Sequence, residues 1–224
     1  MKKLISFVLI LLFLSVTLNA KELNSEELIE KMTLSYGGEA QLKQLNVYEQ
    51  FWLLESALSD LNGSEYRMVM MPDYLRVKLR YLDKSEITVL DKKNGTIMRN
   101  GTIYKAIDSK LDAMKFQMAG LLSPLALQKK LNELKLKTLE DFYLLSLGID
   151  SLHVEFYISK ESALLHKTTT KITINSKEVT LQTVYEEYKD FNGVMLAHKE
   201  SRFIDGVKSE VLTLQETRFQ EPLK

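Results

Sequence analysis

The sequence predicts a mainly β protein with helices. The expected form is a single curved antiparallel sheet of about nine to eleven strands, an open half-barrel with an N-terminal helix and a central helical lid. Three observations predict it. Apolar and polar residues alternate over much of the chain, as in Leu75, Val77, Leu79 and Tyr81 against Arg76, Lys78 and Arg80. Asn100-Gly101, Asn192-Gly193 and Asp205-Gly206 interrupt that alternation as hairpin turns do. One central stretch breaks the period of two: Leu111, Met114, Met118, Leu121, Leu122 and Leu125 recur at helical spacing.

The elements follow in order. Ser25 with Glu26 and Glu27 reads as a helix start, a hydroxyl cap with acidic residues in the first turn. Gly37-Gly38 ends that helix, and a short second one covers Glu39 to Leu45. Val47 to Leu58 is a long strand with apolar residues on both faces. Asp60 to Gly63 is a turn, and Ser64 to Met71 and Tyr74 to Leu82 are strands either side of Pro72-Asp73. Glu86 to Leu90 is followed by an expected Asn94-Gly95 turn, then the pair Thr96 to Arg99 and Thr102 to Ile107. Between Asp108 and Leu131 the helical segment divides near Gly120 to Pro124, since a proline disfavours helix at the residue before it. Lys110, Asp112, Lys115, Lys129 and Lys130 supply its wet side. Strands resume at Leu152 and continue through Lys167 to Asn175, Lys177 to Asp190, Val194 to Ile204 and Val207 to Phe219.

The first twenty residues read as an export signal. Lys2 and Lys3 precede an uncharged apolar run from Leu4 to Leu18, and Thr17, Asn19 and Ala20 break it before Lys21-Glu22. The run is shorter than the roughly 20 residues a membrane-spanning helix needs. Cleavage near Ala20 leaves residues 21–224 as one domain, and the expected location is periplasmic. The whole chain has 30 basic and 30 acidic residues; without Lys2 and Lys3 the balance is 28 against 30. Nothing there predicts a nucleic-acid partner. With no cysteine, disulfides, thiol catalysis and a lipid-modified cysteine anchor are excluded.

No catalytic constellation emerges. His153 with Glu155, and His198 with Glu200, share a strand face, but each reads as part of a solvated or cross-strand polar row. Glu186, Glu187 and Asp190 read as a charged outer face. A serine nucleophile turn, a glycine-rich phosphate loop and a zinc-binding helix motif are absent from the sequence. No metal or cofactor is predicted. A curved sheet with few helices to cover it encloses more space than its own side chains fill, and an apolar cavity suits an apolar ligand. Met114 and Met118 lie on the apolar face of the lid, where flexible methionine accommodates varied partners.

Four segments carry a family resemblance. They are Ser35-Tyr36-Gly37-Gly38 with Leu42, Lys43 and Leu45; the strand Pro72-Asp73-Tyr74-Leu75-Arg76-Val77; the Asn100-Gly101 hairpin leading into Leu121-Leu122-Ser123-Pro124-Leu125; and Tyr185-Glu186-Glu187-Tyr188-Lys189-Asp190-Phe191-Asn192-Gly193-Val194-Met195-Leu196 with the terminal Phe219-Gln220-Glu221-Pro222. In this order they resemble the bacterial outer-membrane lipoprotein-sorting family, the LolA/LolB-like proteins. The resemblance implies an open β-barrel with a helical lid that carries lipoprotein acyl chains across the periplasm in an apolar cavity. It also implies membrane proteins that load or receive the cargo. In the best-known carriers an arginine just before the equivalent of Pro72 helps hold the lid closed. Met71 occupies that place here, which leaves Arg67 and Arg76 for the lid-holding role.

The leading expectation is therefore non-enzymatic binding or transport of a lipid or lipoprotein acyl chain. The residues assigned to its cavity and lid are Phe51, Trp52, Leu75, Val77, Leu79, Met114, Met118, Leu121 and Leu122. The alternative is an envelope sensor or protein-interaction module on the same fold.

Overall fold

The computed structural model describes residues 23–82 and 84–220 of the 224. The export signal and Glu221-Pro222 lie outside the described residues. The chain opens with helices α1 (Ser25–Ser35) and α2 (Glu39–Leu42). Six strands follow: β1 (Val47–Ser56), β2 (Asn62–Met70), β3 (Tyr74–Tyr81), β4 (Lys84–Asp91), β5 (Asn94–Arg99) and β6 (Thr102–Lys105). Helices α3 (Asp108–Gly120) and α4 (Pro124–Gln128) interrupt them. Seven more strands complete the fold: β7 (Lys135–Thr138), β8 (Phe142–Ile149), β9 (Leu152–Ser159), β10 (Leu165–Ile174), β11 (Lys177–Phe191), β12 (Val194–Ile204) and β13 (Val207–Phe219).

All thirteen strands form one antiparallel sheet in the order β6-β5-β4-β3-β2-β1-β13-β12-β11-β10-β9-β8-β7. The two end strands do not pair, so the barrel is open. Every sheet neighbour but one pair is also a sequence neighbour. The exception is β1 with β13, which joins the two halves of the chain at the centre of the sheet. Hairpin tips consequently alternate between the two ends of the sheet.

Local chemistry explains the turns. Asn100-Gly101, Asn192-Gly193 and Asp205-Gly206 all have positive φ at both residues, the geometry that tight twisted hairpins require. The turn expected at Asn94-Gly95 lies instead at Lys92-Lys93, and Asn94 already pairs with Asp91. Gly95 has a packing role there: a Cβ on it would crowd Ala106, Leu111 and Met114 under α3. The cap of α1 is Asn24, one residue before the expected Ser25. Its side chain accepts from the Glu27 amide at 2.9 Å while Glu27 accepts from the Asn24 amide at 3.1 Å, a reciprocal capping box. The sheet exceeds the expected eleven strands by β7 and β8. Phe142–Ile149 is an almost continuous apolar run, so alternation does not reveal it.

The main core lies on the concave side. Leu28, Ile29 and Met32 of α1 and Met114, Phe116 and Met118 of α3 pack there against Val69, Leu75, Leu90, Leu145, Val154 and Phe156. A second cluster, Trp52, Leu54, Leu212 and Leu214, sits where β1 meets β13.

Candidate ligand-binding cleft

Helix α3 lies across the inner face of the sheet, and the space beneath and beside it is the principal cleft. One lobe of about 460 Å³ is lined by Val77, Leu79, Met114, Phe116, Leu181 and Phe203, with Glu65, Thr88, Gln117, Thr183 and Arg202 among them. A second lobe of about 580 Å³ is walled by Ile97, Tyr104, Ile107, Ile172, Ile174 and Ile204. Lys110, Ala113, Leu181 and Ile204 belong to both lobes, so the two are contiguous. Each lobe falls within the roughly 300–1,000 Å³ typical of small-molecule sites. Positions 110, 113, 114, 116 and 117 of α3 line this lobe, and 110, 113, 114 and 117 share one helix face.

Polar contacts tether α3 on three sides. Lys110 pairs with Glu86 of β4 at 3.0 Å. Lys115 pairs with Asp150 at the β8–β9 turn at 2.9 Å, and Asp150 also meets Lys93 from the β4–β5 turn at 3.2 Å. Gln117 donates to Glu65 of β2 at 3.2 Å. Lys115 was expected on the wet side, yet its side chain is only 10% exposed, because the helix is covered by both arms of the sheet.

Beneath the lid lies a buried ionic network. Arg67 is 1% exposed and Glu65 is fully buried, both facing inward from β2. Arg67 donates to Glu65 through Nε and to both oxygens of Glu200 at 2.7 and 2.6 Å. Arg202 donates to both oxygens of Glu65 at 2.9 and 2.8 Å, and to Glu210 at 3.0 Å. The Arg67 guanidinium lies 4.5 Å from the Trp52 ring centroid, a cation–π arrangement. Burial pushes the Glu65 carboxyl up, but the charges of Arg202 and Arg67 outweigh it and hold the pKa at about 2. On a flat sheet, β2 and β12 would be three strand spacings apart, roughly 14 Å. The two-pronged contact from Arg67 to Glu200 crosses β1 and β13, which requires the sheet to bend sharply there.

A smaller cavity of about 70 Å³ lies at the C-terminal end of α3. Trp52, Leu121 and Leu122 line it together with Tyr36, Tyr48, Tyr185 and Tyr188. The Tyr36 and Tyr188 hydroxyls are 3.1 Å apart, Tyr188 donates to the Leu165 carbonyl at 2.7 Å, and Tyr36 accepts from the Leu165 amide at 3.1 Å. Burial pushes the phenols of Tyr48, Tyr185 and Tyr188 up, so all are neutral donors at physiological pH.

The residues expected to form one cavity are thus distributed. Val77, Leu79 and Met114 line the principal cleft. Trp52, Leu121 and Leu122 line the small one. Leu75 and Met118 are packed in the core. Phe51 is 37% exposed on the convex face, because neighbours on a strand point to opposite sides and Trp52 takes the inner one. Of the two arginines considered for lid holding, Arg67 reaches α3 through Glu65 and Gln117. Arg76 alternates with buried Leu75 and Val77 and faces outward, away from α3. The row read as solvated or cross-strand proves cross-strand at Glu200, which is buried and bound by Arg67, while His198 pairs with Glu187 at 3.4 Å. The polar lining of the cleft and the tyrosine cluster were not anticipated.

No family model matches the sequence, and no curated protein matches it. Solved structures do resemble it in shape. A LolA superfamily protein from Nitrosomonas europaea superposes with a TM-score of 0.56 over 90% of this chain and 96% of its own, at 9% identity. The chain has a LolA-like fold. An outer membrane lipoprotein-sorting protein domain from Vibrio parahaemolyticus gives a TM-score of 0.53 at 12% identity, covering 88% and 93% of the two chains. A DUF1329 family protein from Desulfovibrio piger gives 0.50 at 10% identity, covering 87% and 93%. Among the described residues of this LolA-like chain, no helix is long and apolar enough to cross a membrane.

Proposed function

We propose that the LolA-like domain, residues 21–224 after removal of an export signal ending near Ala20, binds and carries the acyl chain of a lipid or lipoprotein in the periplasm. The observation that carries this reading is the cleft under α3, with Val77, Leu79, Met114, Phe116 and Leu181 on its walls. Methylenes entering it leave water, and each contributes roughly 0.8 kcal/mol before binding costs. The polar groups at Glu65, Gln117 and Arg202 are already committed to one another, so they leave the apolar walls to supply affinity. Loading and release require α3 to move, since it covers the inner face. Binding needs no covalent step, and the reading is non-enzymatic.

The test uses the mature chain purified from its native compartment. Native mass spectrometry with lipid extraction should find a co-purifying lipid or acylated peptide. Ala113→Trp, which fills the cleft from α3, should reduce uptake of a fluorescent fatty acid on the order of tenfold while the fold persists. A protein that is empty as purified and takes up neither fatty acid nor acylated peptide would end this reading.

A further inference from the structure

We infer that the small cavity at the C-terminal end of α3 is a second binding site, built for a neutral carbonyl group such as that of an amide or an ester. It stands apart from the cleft. No residue lines both, and the ionic network is the wall between them: Glu200 lines the small cavity, while Glu65 and Arg202 line the cleft. The site therefore goes beyond the acyl-chain reading and does not depend on it. Its volume of about 70 Å³ exceeds the roughly 10–15 Å³ that one water needs. It is also far below the 460 Å³ and 580 Å³ of the cleft lobes, so it suits a small group and not a whole acyl chain.

The hydrogen bonds around the cavity give the ligand its character. Tyr48 and Gln50 face inward from β1, line the cavity, and are only 3% and 5% exposed. The Tyr48 hydroxyl has no hydrogen-bond partner among the described residues, and burial keeps its phenol protonated. Gln50 accepts from Trp52 Nε1 at 3.3 Å through Oε1, and its Nε2 has no partner among the described residues. Thr217, opposite Gln50 on β13, buries Oγ1 without a partner as well. Buried donors left unpaired cost stability, so donors of this kind call for a group that comes to meet them. The neighbouring acceptors are already taken: Arg67 occupies both oxygens of Glu200, and the Leu165 amide occupies the Tyr36 hydroxyl. The protons of Tyr36 and Tyr188 are spent too, since Tyr188 donates to the Leu165 carbonyl and Tyr36 to Tyr188. A site with surplus donors takes an acceptor. Charge then decides which. No lysine, arginine or histidine lines the cavity, so an anionic ligand would lie beside the Glu200 carboxylate with no cation in the walls to meet it. A neutral carbonyl satisfies both conditions, and Leu45, Leu165 and Leu196 give apolar walls to the small groups on either side of it.

Trp52 is the chain's only tryptophan and lines the cavity, so its fluorescence reports occupancy. The mature chain is titrated with N-methylacetamide and with methyl acetate, and with sodium acetate and methylammonium chloride as charged counterparts. At least one neutral probe should give a saturable change, and the charged ones none. The tighter neutral probe assigns the source of the carbonyl, an amide for a peptide-borne group and an ester for a glyceride-borne one. Tyr48→Phe should weaken that probe about fivefold, the worth of one hydrogen bond. It should not lower the melting temperature, because the hydroxyl it removes has no protein partner. Ala197→Leu, which fills the cavity from β12, should abolish the response and leave fatty-acid uptake by the cleft unchanged. Lack of saturation by both neutral probes overturns the site and leaves the cavity to water, whatever the cleft binds. Equal affinity in Tyr48→Phe, or acetate binding as tightly as methyl acetate, overturns it too.

Discussion

Gln117 Nε2 on α3 donates to Glu65 Oε1 on β2 at 3.2 Å, joining the helix over the cleft to a carboxylate fully buried in the sheet. Glu65 keeps Arg67 and Arg202 when Gln117 is lost, so the network survives and the helix alone is loosened. Gln117→Leu should cost about 1 kcal/mol, the net worth of one such bond. Amide hydrogen exchange should accelerate in α3 and remain unchanged in β1 and β13. Gln117→Glu should act more strongly, because it sets a second carboxylate against Glu65. Unaltered exchange in α3 for both variants would show that the contact does not hold the helix.

Arg67 has a different role, because two buried carboxylates depend on it. Arg67→Leu leaves Glu65 short of one partner and Glu200 without its two-pronged one, so a loss of about 3–5 kcal/mol is expected in urea denaturation. Arg67→Lys should recover little, since an ammonium cannot reproduce the planar fork. Arg76→Ala on the convex face should fall within about 0.5 kcal/mol of the parent. Equal losses for the two positions would remove the distinction between them.

That contrast also shows what the sequence conceals. The hairpin turns at Asn100, Asn192 and Asp205 are legible because positive φ restricts the residue types that tolerate it. The alternation in Tyr74–Tyr81 is legible because one face is wet. Val47–Ser56 carries apolar residues on both faces, so nothing in it distinguishes inward Trp52 from outward Phe51. Glu65, Arg67 and Glu200 look like solvent-facing charges, since charge at every second position is the mark of a wet face. Their burial depends on a partner 133 residues away, brought near by the pairing of β1 with β13. The lid is legible as a helix, but the polar groups under it are visible only once the sheet has bent.

The low pKa of Glu65 makes a prediction about acid. Its folded value, about 2, lies below its ordinary value of 4.5. A depressed carboxyl contributes stability that is complete above the ordinary value and is lost as pH falls toward the folded one. The shift corresponds to roughly 3 kcal/mol as an order of magnitude. Stability from urea melts should therefore decline between pH 4.5 and about 2 in the parent. Glu65→Gln should be less stable at neutral pH and decline less over that window. Glu86 also lies low, with burial raising it and Lys110 and Arg99 lowering it, so the difference between the two proteins is what isolates Glu65. Parallel curves would show that Glu65 does not titrate against the arginines.

Gly120 ends α3 against Tyr185 of β11. A Cβ there would overlap the Tyr185 hydroxyl, which is itself 3.3 Å from Thr168 Oγ1. Helix propensity and packing predict opposite signs for Gly120→Ala. Propensity favours alanine by about 1 kcal/mol in a helix interior. Overpacking costs about 1–3 kcal/mol when the neighbours cannot yield. Tyr185 is buried among Thr168, Gly120 and the strands beside it, so packing should win and the variant should be less stable. Tyr185→Phe removes the overlapping oxygen, so the double variant should regain part of the loss, giving a favourable coupling in a double-mutant cycle. Stabilisation by Gly120→Ala alone would mean that the end of α3 moves away from Tyr185 at little cost, and that the lid is held chiefly by Gln117 and the two lysine pairs.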